Sequence, residues 1–190
     1  MKFAKEHQLY QIAEKQAGYF SVAQAKKMDI QRNQIYRDVK RGKFIHIATG
    51  IYRFTQFPAS PFEELHLAQL RTGQQGIIGF QSALYVYDLY DTKPQEIHMI
   101  LPATGSRRRP GIRPHTLKLA PHDSCTFEGL RMTTVARTIN DCAFARMQDD
   151  ELQMAVKKAL QRRLTSSEEL ITQAARRPKR VQAAIIRCLD

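Results

Sequence analysis

Gln31-Arg32-Asn33-Gln34-Ile35-Tyr36-Arg37-Asp38-Val39-Lys40-Arg41 is the stretch whose periodicity decides how the first third of the chain folds. At about 100° per residue, Ile35 and Val39 fall within about 40° of one another and make a core-facing stripe. Asn33, Tyr36, Arg37 and Lys40 share the opposite side, about 100° to 200° from Ile35, with Arg32 at the leading end. The spacing predicts a helix from about Gln31 to Arg41, ended by Gly42. Beyond it, Lys43-Phe44-Ile45-His46-Ile47 and Ile51-Tyr52-Arg53-Phe54 are β-rich segments on either side of Ala48-Thr49-Gly50, which predicts a hairpin.

Upstream, Lys2 to Gln16 reads as a helix with Phe3, Leu9, Ile12 and Ala13 near one face, stopped by Ala17-Gly18. Ser21, with Gln24 three residues later, is a capping box for a short helix over Val22–Met28. Met28-Asp29-Ile30 then makes a tight connection to the third helix. Residues 1–57 thus run helix, helix, turn, helix, hairpin, the order of a winged helix-turn-helix DNA-binding domain.

Such a third helix offers Arg to guanine edges, Asn to adenine edges and Lys to phosphates. Asn33, Tyr36, Arg37 and Lys40 are the expected groove residues. Arg32, Arg41, Lys43 and Arg53 are the expected contacts to double-stranded DNA phosphates. An exposed helix face is polar in any case, and basic residues in a last turn suit the helix dipole. Here periodicity, hairpin and charge agree. Gln31 stands where a Ser or Thr cap would fix the helix start, so that start is set only to a residue or two.

Charge sharpens the division. The 190 residues carry 30 Lys and Arg against 18 Asp and Glu, a net of +12 with pI near 9.9. Residues 1–54 alone hold 11 basic and 4 acidic residues, a net of +7. A basic first module points to a polyanionic partner. Gln56-Phe57-Pro58-Ala59-Ser60-Pro61 is the expected seam, with a second module over 58–190. No run approaches the roughly 18 apolar residues of a membrane span. The N-terminus lacks an apolar signal region, and Cys125, Cys142 and Cys188 form no CxxC pair. A cytoplasmic protein with no membrane contact is the expectation.

The second module reads as α+β. Phe62–Thr72 is an amphipathic helix, Gly76-Ile77-Ile78-Gly79 a short apolar run, and Ser82–Leu89 a helix. Glu96–Pro102, Gly111–Leu119 and Cys125–Met132 read as strands. From Val135 the chain is helical, with breaks near Gln148, Leu164 and Pro178, and Thr165 with Glu168 reads as a second capping box. The expected fold is an α+β chain, an N-terminal winged helix followed by a small sheet and a helical C-terminal tail.

Ser82-Ala83-Leu84 with Leu89, then Pro94, Ile97-His98 and Pro102, Ile112-Arg113-Pro114-His115, and Gly129 through Asp141 follow one another in a telling order. With Gly18-Tyr19-Phe20-Ser21, Arg41-Gly42-Lys43-Phe44 and Gly50-Ile51-Tyr52-Arg53, this pattern resembles the AbiEi antitoxins of type IV toxin–antitoxin (abortive infection) systems over roughly residues 5–170. The resemblance implies a repressor of its own promoter, paired with a nucleotidyltransferase-like toxin in phage defence. It also implies that the second module carries the antitoxin activity. The basic run Arg176-Arg177-Pro178-Lys179-Arg180 departs from the pattern.

Other constellations weigh less. Arg107-Arg108-Arg109 is a loop that could grip phosphate or an acidic partner, though three adjacent Arg repel one another. Arg137 and Asp141, four apart, are expected to pair on a helix capped by Thr133 or Thr134. The six His include no HExxH or HxH. His98 points away from its strand neighbours, and Cys125 with His122 lacks an orienting third group. Asp91-Thr92-Lys93 has the spelling of a nuclease dyad, but Pro94 places it in a turn. No catalytic residue, metal or cofactor is expected; the alternative is a nuclease, which metal-dependent cleavage would reveal.

Overall fold

A computed structural model of the chain describes residues 2–73, 75–102 and 109–190. It is a mixed α+β protein that divides into two compact units, residues 1–74 with 126–130, and residues 75–125 with 131–190.

The first unit opens with α1 (Lys2–Glu14), which buries Leu9 and Ala13. Ala17 and Gly18 both take positive φ and reverse the chain; a Cβ on Gly18 would meet the Phe57 side chain at 2.4 Å. β1 (Tyr19–Ser21), α2 (Val22–Lys27), α3 (Arg32–Lys40), β2 (Phe44–Ala48) and β3 (Ile51–Phe54) follow. The predicted capping box is present: Gln24 N–H donates to Ser21 Oγ (3.2 Å), and Ser21 N–H donates to Gln24 Oε1 (2.9 Å).

β2 and β3 form the expected antiparallel hairpin. The strand Tyr19–Ser21 was not expected. It pairs with the other edge of β3, Tyr19 opposite Arg53 and Ser21 opposite Ile51, so the sheet order is β1-β3-β2. One face of the sheet packs Phe20, Phe44, Tyr52 and Phe54 against Leu9, Ala25, Ile30 and Ile35.

The other face is covered by α4 (Glu63–Arg71), so this unit runs past the Pro58–Pro61 seam. Leu70 packs on Tyr19 and Ile51, and the His66 ring stacks on Tyr19 at 5.0 Å. The Tyr19 hydroxyl donates to Glu63 (2.8 Å) and accepts from the Ser60 N–H (3.3 Å).

Beyond α4 the chain forms β4 (Ile77–Ile78), α5 (Phe80–Val86), β5 (Ile97–Ile100), β6 (Ile112–His115), a 3-10 turn (Pro121–Asp123), β7 (Ser124–Phe127) and β8 (Leu130–Thr133). The strands line up as β6-β5-β4-β8-β7, with β5·β6 and β4·β8 parallel and β4·β5 antiparallel. The single strand expected over 125–132 is instead a hairpin. Glu128 and Gly129 take φ of 51° and 72°, the two-residue turn whose twist matches the flanking strands.

The helical tail is α6 (Val135–Phe144), α7 (Asp149–Gln161), α8 (Ser167–Ala174) and α9 (Lys179–Leu189), close to the expected breaks. The cap of α8 lies one residue later than expected. Ser166 Oγ accepts the Glu169 N–H (3.2 Å), while the Thr165 hydroxyl donates to the Glu169 carboxylate (2.8 Å). Thr134 stands at the N-cap of α6 but makes no side-chain cap bond.

Candidate nucleic-acid interface

The geometry of α3 follows from the elements around it. Asp29 takes φ of 56° in the turn between α2 and α3, a conformation that Asp tolerates better than most residues. Its carboxylate pairs with Lys5 of α1. Ile30 is buried beside Ile35, which has no exposed surface, so the start of α3 is anchored in the core. Gln31 is the N-cap residue and makes no side-chain cap bond.

With Ile35 inward, Arg32, Asn33, Tyr36, Arg37 and Lys40 are all exposed, Tyr36 to 50%. Asn33, Arg37 and Lys40 form no ion pair or side-chain hydrogen bond with another described residue. Under this face, Tyr52 of β3 is buried against the His46 ring at 5.1 Å. Burial, then the Tyr36 phenol, push the Tyr52 phenol above its usual range, against the pull of Arg32. Asp38 departs from the expected pattern: it is only 6% exposed, with one carboxylate oxygen 3.8 Å from Arg41 and the other without a partner.

The expected phosphate contacts divide. Arg41 is well exposed, and Lys43 is exposed but tied to Glu6 at 2.7 Å. Arg53 lies apart from these. It is 9% exposed and turns toward Tyr19, with Nη1 donating to the phenol oxygen (3.4 Å), because β3 is the central strand and both its faces are covered. Its guanidinium is not on the surface that α3 presents. Lys26 and Lys27, exposed in the last turn of α2, are basic residues that sequence reasoning passed over; their only signal was the capping box that fixed α2.

In the second unit, Arg107 and Arg108 lie outside the described residues, while Arg109 is half-buried and its carbonyl accepts the Ile112 N–H (3.0 Å). The Arg137–Asp141 pair is present and sits inside a larger buried network. Arg137 Nε donates to both Asp141 oxygens (3.1 and 2.9 Å), and its Nη1 donates to Asp123 (2.6 Å). Arg177 also donates to Asp141, and Gln173 donates to Asp123 (2.9 Å). Burial pushes the Asp141 carboxyl up, against the pull of both arginines.

The basic run 176–180 is largely used up by internal bonds. Arg176 bonds to His122, Arg177 joins Asp141, and Arg180 donates to the Phe144 carbonyl (2.9 Å). Arg177 and Arg180 both lie over the Phe144 ring, at 5.6 and 5.0 Å.

The residues weighed for catalysis are scattered. Cys125 Sγ lies 3.2 Å from the Tyr87 hydroxyl, while His122 faces Arg176 and Asp123. Asp91 is held by Lys158 (2.7 Å). His98 and His115 share a hydrogen bond of 3.2 Å beneath Phe80, and burial pushes both imidazoles down to about 4. Among the described residues no three His, Cys, Asp or Glu side chains cluster as a metal site would require, and no helix is long and apolar enough to cross a membrane.

No family model and no curated protein matches this sequence. The chain is similar in fold to the crystal structure of the RV2827C protein from Mycobacterium tuberculosis, at 14% identity and a TM-score of 0.55. The match spans 95% of this chain and 76% of that one. At that identity the likeness extends to the fold.

Proposed function

We propose that the first unit is a winged helix-turn-helix and that the chain is a sequence-specific repressor of its own promoter. The carrying observation is the exposed face of α3, where Asn33, Arg37 and Lys40, beside Arg32 and Tyr36, have no partner among the described residues. Side chains of this kind, on a helix whose opposite side is fixed in the core, suit base edges in a major groove. Arg32 and Arg41 reach toward phosphate at the two ends of α3. The second unit, on this reading, carries the antitoxin activity of a type IV pair toward a nucleotidyltransferase-like toxin. The resemblance of residues 82–141 to that family supports it.

Binding of the full chain to its own upstream duplex, beside a scrambled duplex and over a salt series, tests the reading. A repressor prefers the upstream sequence, and log K falls linearly with log salt. Equal, weak binding to both duplexes overturns it, and divalent-metal-dependent cleavage would replace it with a nuclease.

A further inference from the structure

Glu6 is an acid on the flank of the basic α3 face, and its carboxylate is held at both oxygens. Lys43 Nζ donates to Oε2 at 2.7 Å, and Gln34 Nε2 donates to Oε1 at 3.3 Å. One donor comes from α3 itself and the other from the residue just before β2. Two donors that fork the two oxygens of a carboxylate have the arrangement that two oxygens of a phosphate would take. We propose that Lys43 and Gln34 form a clamp for a DNA backbone phosphate, closed in the free protein by the chain's own Glu6.

The pair is placed to open. The Lys43 and Glu6 side chains keep 39% and 21% of their surface, and an ion pair this exposed contributes little to stability, so an arriving phosphate exchanges with it readily. Releasing Glu6 does not unseat α1. Leu9 and Ala13 stay in the core, and the neighbouring Lys5 remains paired with Asp29. The clamp also borders exposed residues of the α3 face. Gln34 lies at the edge of the exposed α3 face, and Arg41 stands two residues before Lys43 with 70% of its side chain exposed. Glu6 thus acts as an internal brake on DNA affinity. This proposal rests on the DNA-binding reading above.

The test compares four full-length chains, wild type, Glu6→Gln, Lys43→Gln and the double variant, each titrated onto the upstream and the scrambled duplex over a salt series. Glu6→Gln is expected to bind both duplexes several-fold more tightly at low salt. Its log–log salt slope should stay near wild type, because both chains take the same phosphate, whereas Lys43→Gln should lower the slope by about 0.9, the increment for one phosphate. In the Lys43→Gln background, Glu6→Gln should change neither quantity. A gain that survives in that background overturns the clamp, because it reports only the loss of a nearby negative charge. Unchanged or weaker binding by Glu6→Gln, with a lowered melting temperature, overturns it in favour of a splint that holds α3. Flat, sequence-indifferent curves for all four chains bring down the DNA-binding reading and the clamp together, an outcome distinct from failure of the clamp alone.

Discussion

The Arg53 guanidinium lies over the Tyr19 ring, its central carbon 5.6 Å from the ring centre, and the Tyr19 hydroxyl hands the contact on to Glu63. A cation and an anion are thus bridged through a phenol between the first sheet and α4. Burial and the Glu63 carboxylate raise the Tyr19 phenol, so it stays protonated and donating. Replacing Arg53 with Met should cost about 1–3 kcal/mol, because the Tyr19 hydroxyl loses a buried donor. The salt slope of DNA binding should stay as in wild type. A melting curve beside a salt titration checks both, and a shallower slope would return Arg53 to the phosphate contacts.

Arg37 and Lys40 share one face of α3 and should behave differently. Arg37→Ala should remove about 1–3 kcal/mol of preference for the upstream duplex over the scrambled one. Lys40→Ala should weaken both duplexes alike and lower the salt slope by about 0.9. Competition titrations separate these outcomes; equal losses from both variants would mean that α3 reads no sequence.

The buried pair in the second unit gives a stability test. Asp141 has no exposed surface and depends on Arg137 and Arg177 for its charge. Arg137→Met leaves that carboxylate, and Asp123, short of a partner, so unfolding in urea should show a loss of about 3–5 kcal/mol. Arg177→Gln should cost less, because Arg137 remains. A variant at Arg137 as stable as wild type would show that the network is not held by charge.

Acid should weaken the fold in a defined window. Burial holds His66, His98 and His115 at about 4, below their ordinary 6.5. In the unfolded chain they take up protons that the native state refuses, so stability is full above about pH 6.5 and falls as pH drops toward 4. His66→Phe keeps the stack on Tyr19 and removes one such group, so denaturation midpoints across that range should vary less. A variant with the wild-type pH dependence would remove His66 from the account.

Much of the first unit was legible in the sequence because its signals are local. The spacing of Ile35 and Val39, the Ser21–Gln24 cap, Gly42 and the turn before Ile51 each act within a few residues, and helix, cap and hairpin follow from them. The polar face of α3 follows too, once Ile35 is inside. Strand alternation, by contrast, tells which residues share a face but not whether both faces are covered. Ile51-Tyr52-Arg53-Phe54 is buried at every position because β1 pairs on its free edge and α4 lies over its second face. Those partners are remote in the chain; Tyr19 and Glu63 are 44 residues apart. The run 176–180 has the same lesson. Its charges are plain in the sequence, but their partners appear only when the fold sets Asp141, Phe144 and His122 beside them. Local periodicity and turn chemistry determined the helices and hairpin of the first unit and the outward face of α3, but not the edge strand Tyr19–Ser21. Only tertiary structure decided which cations remain free, since that depends on which distant carboxylates, carbonyls and rings reach them first.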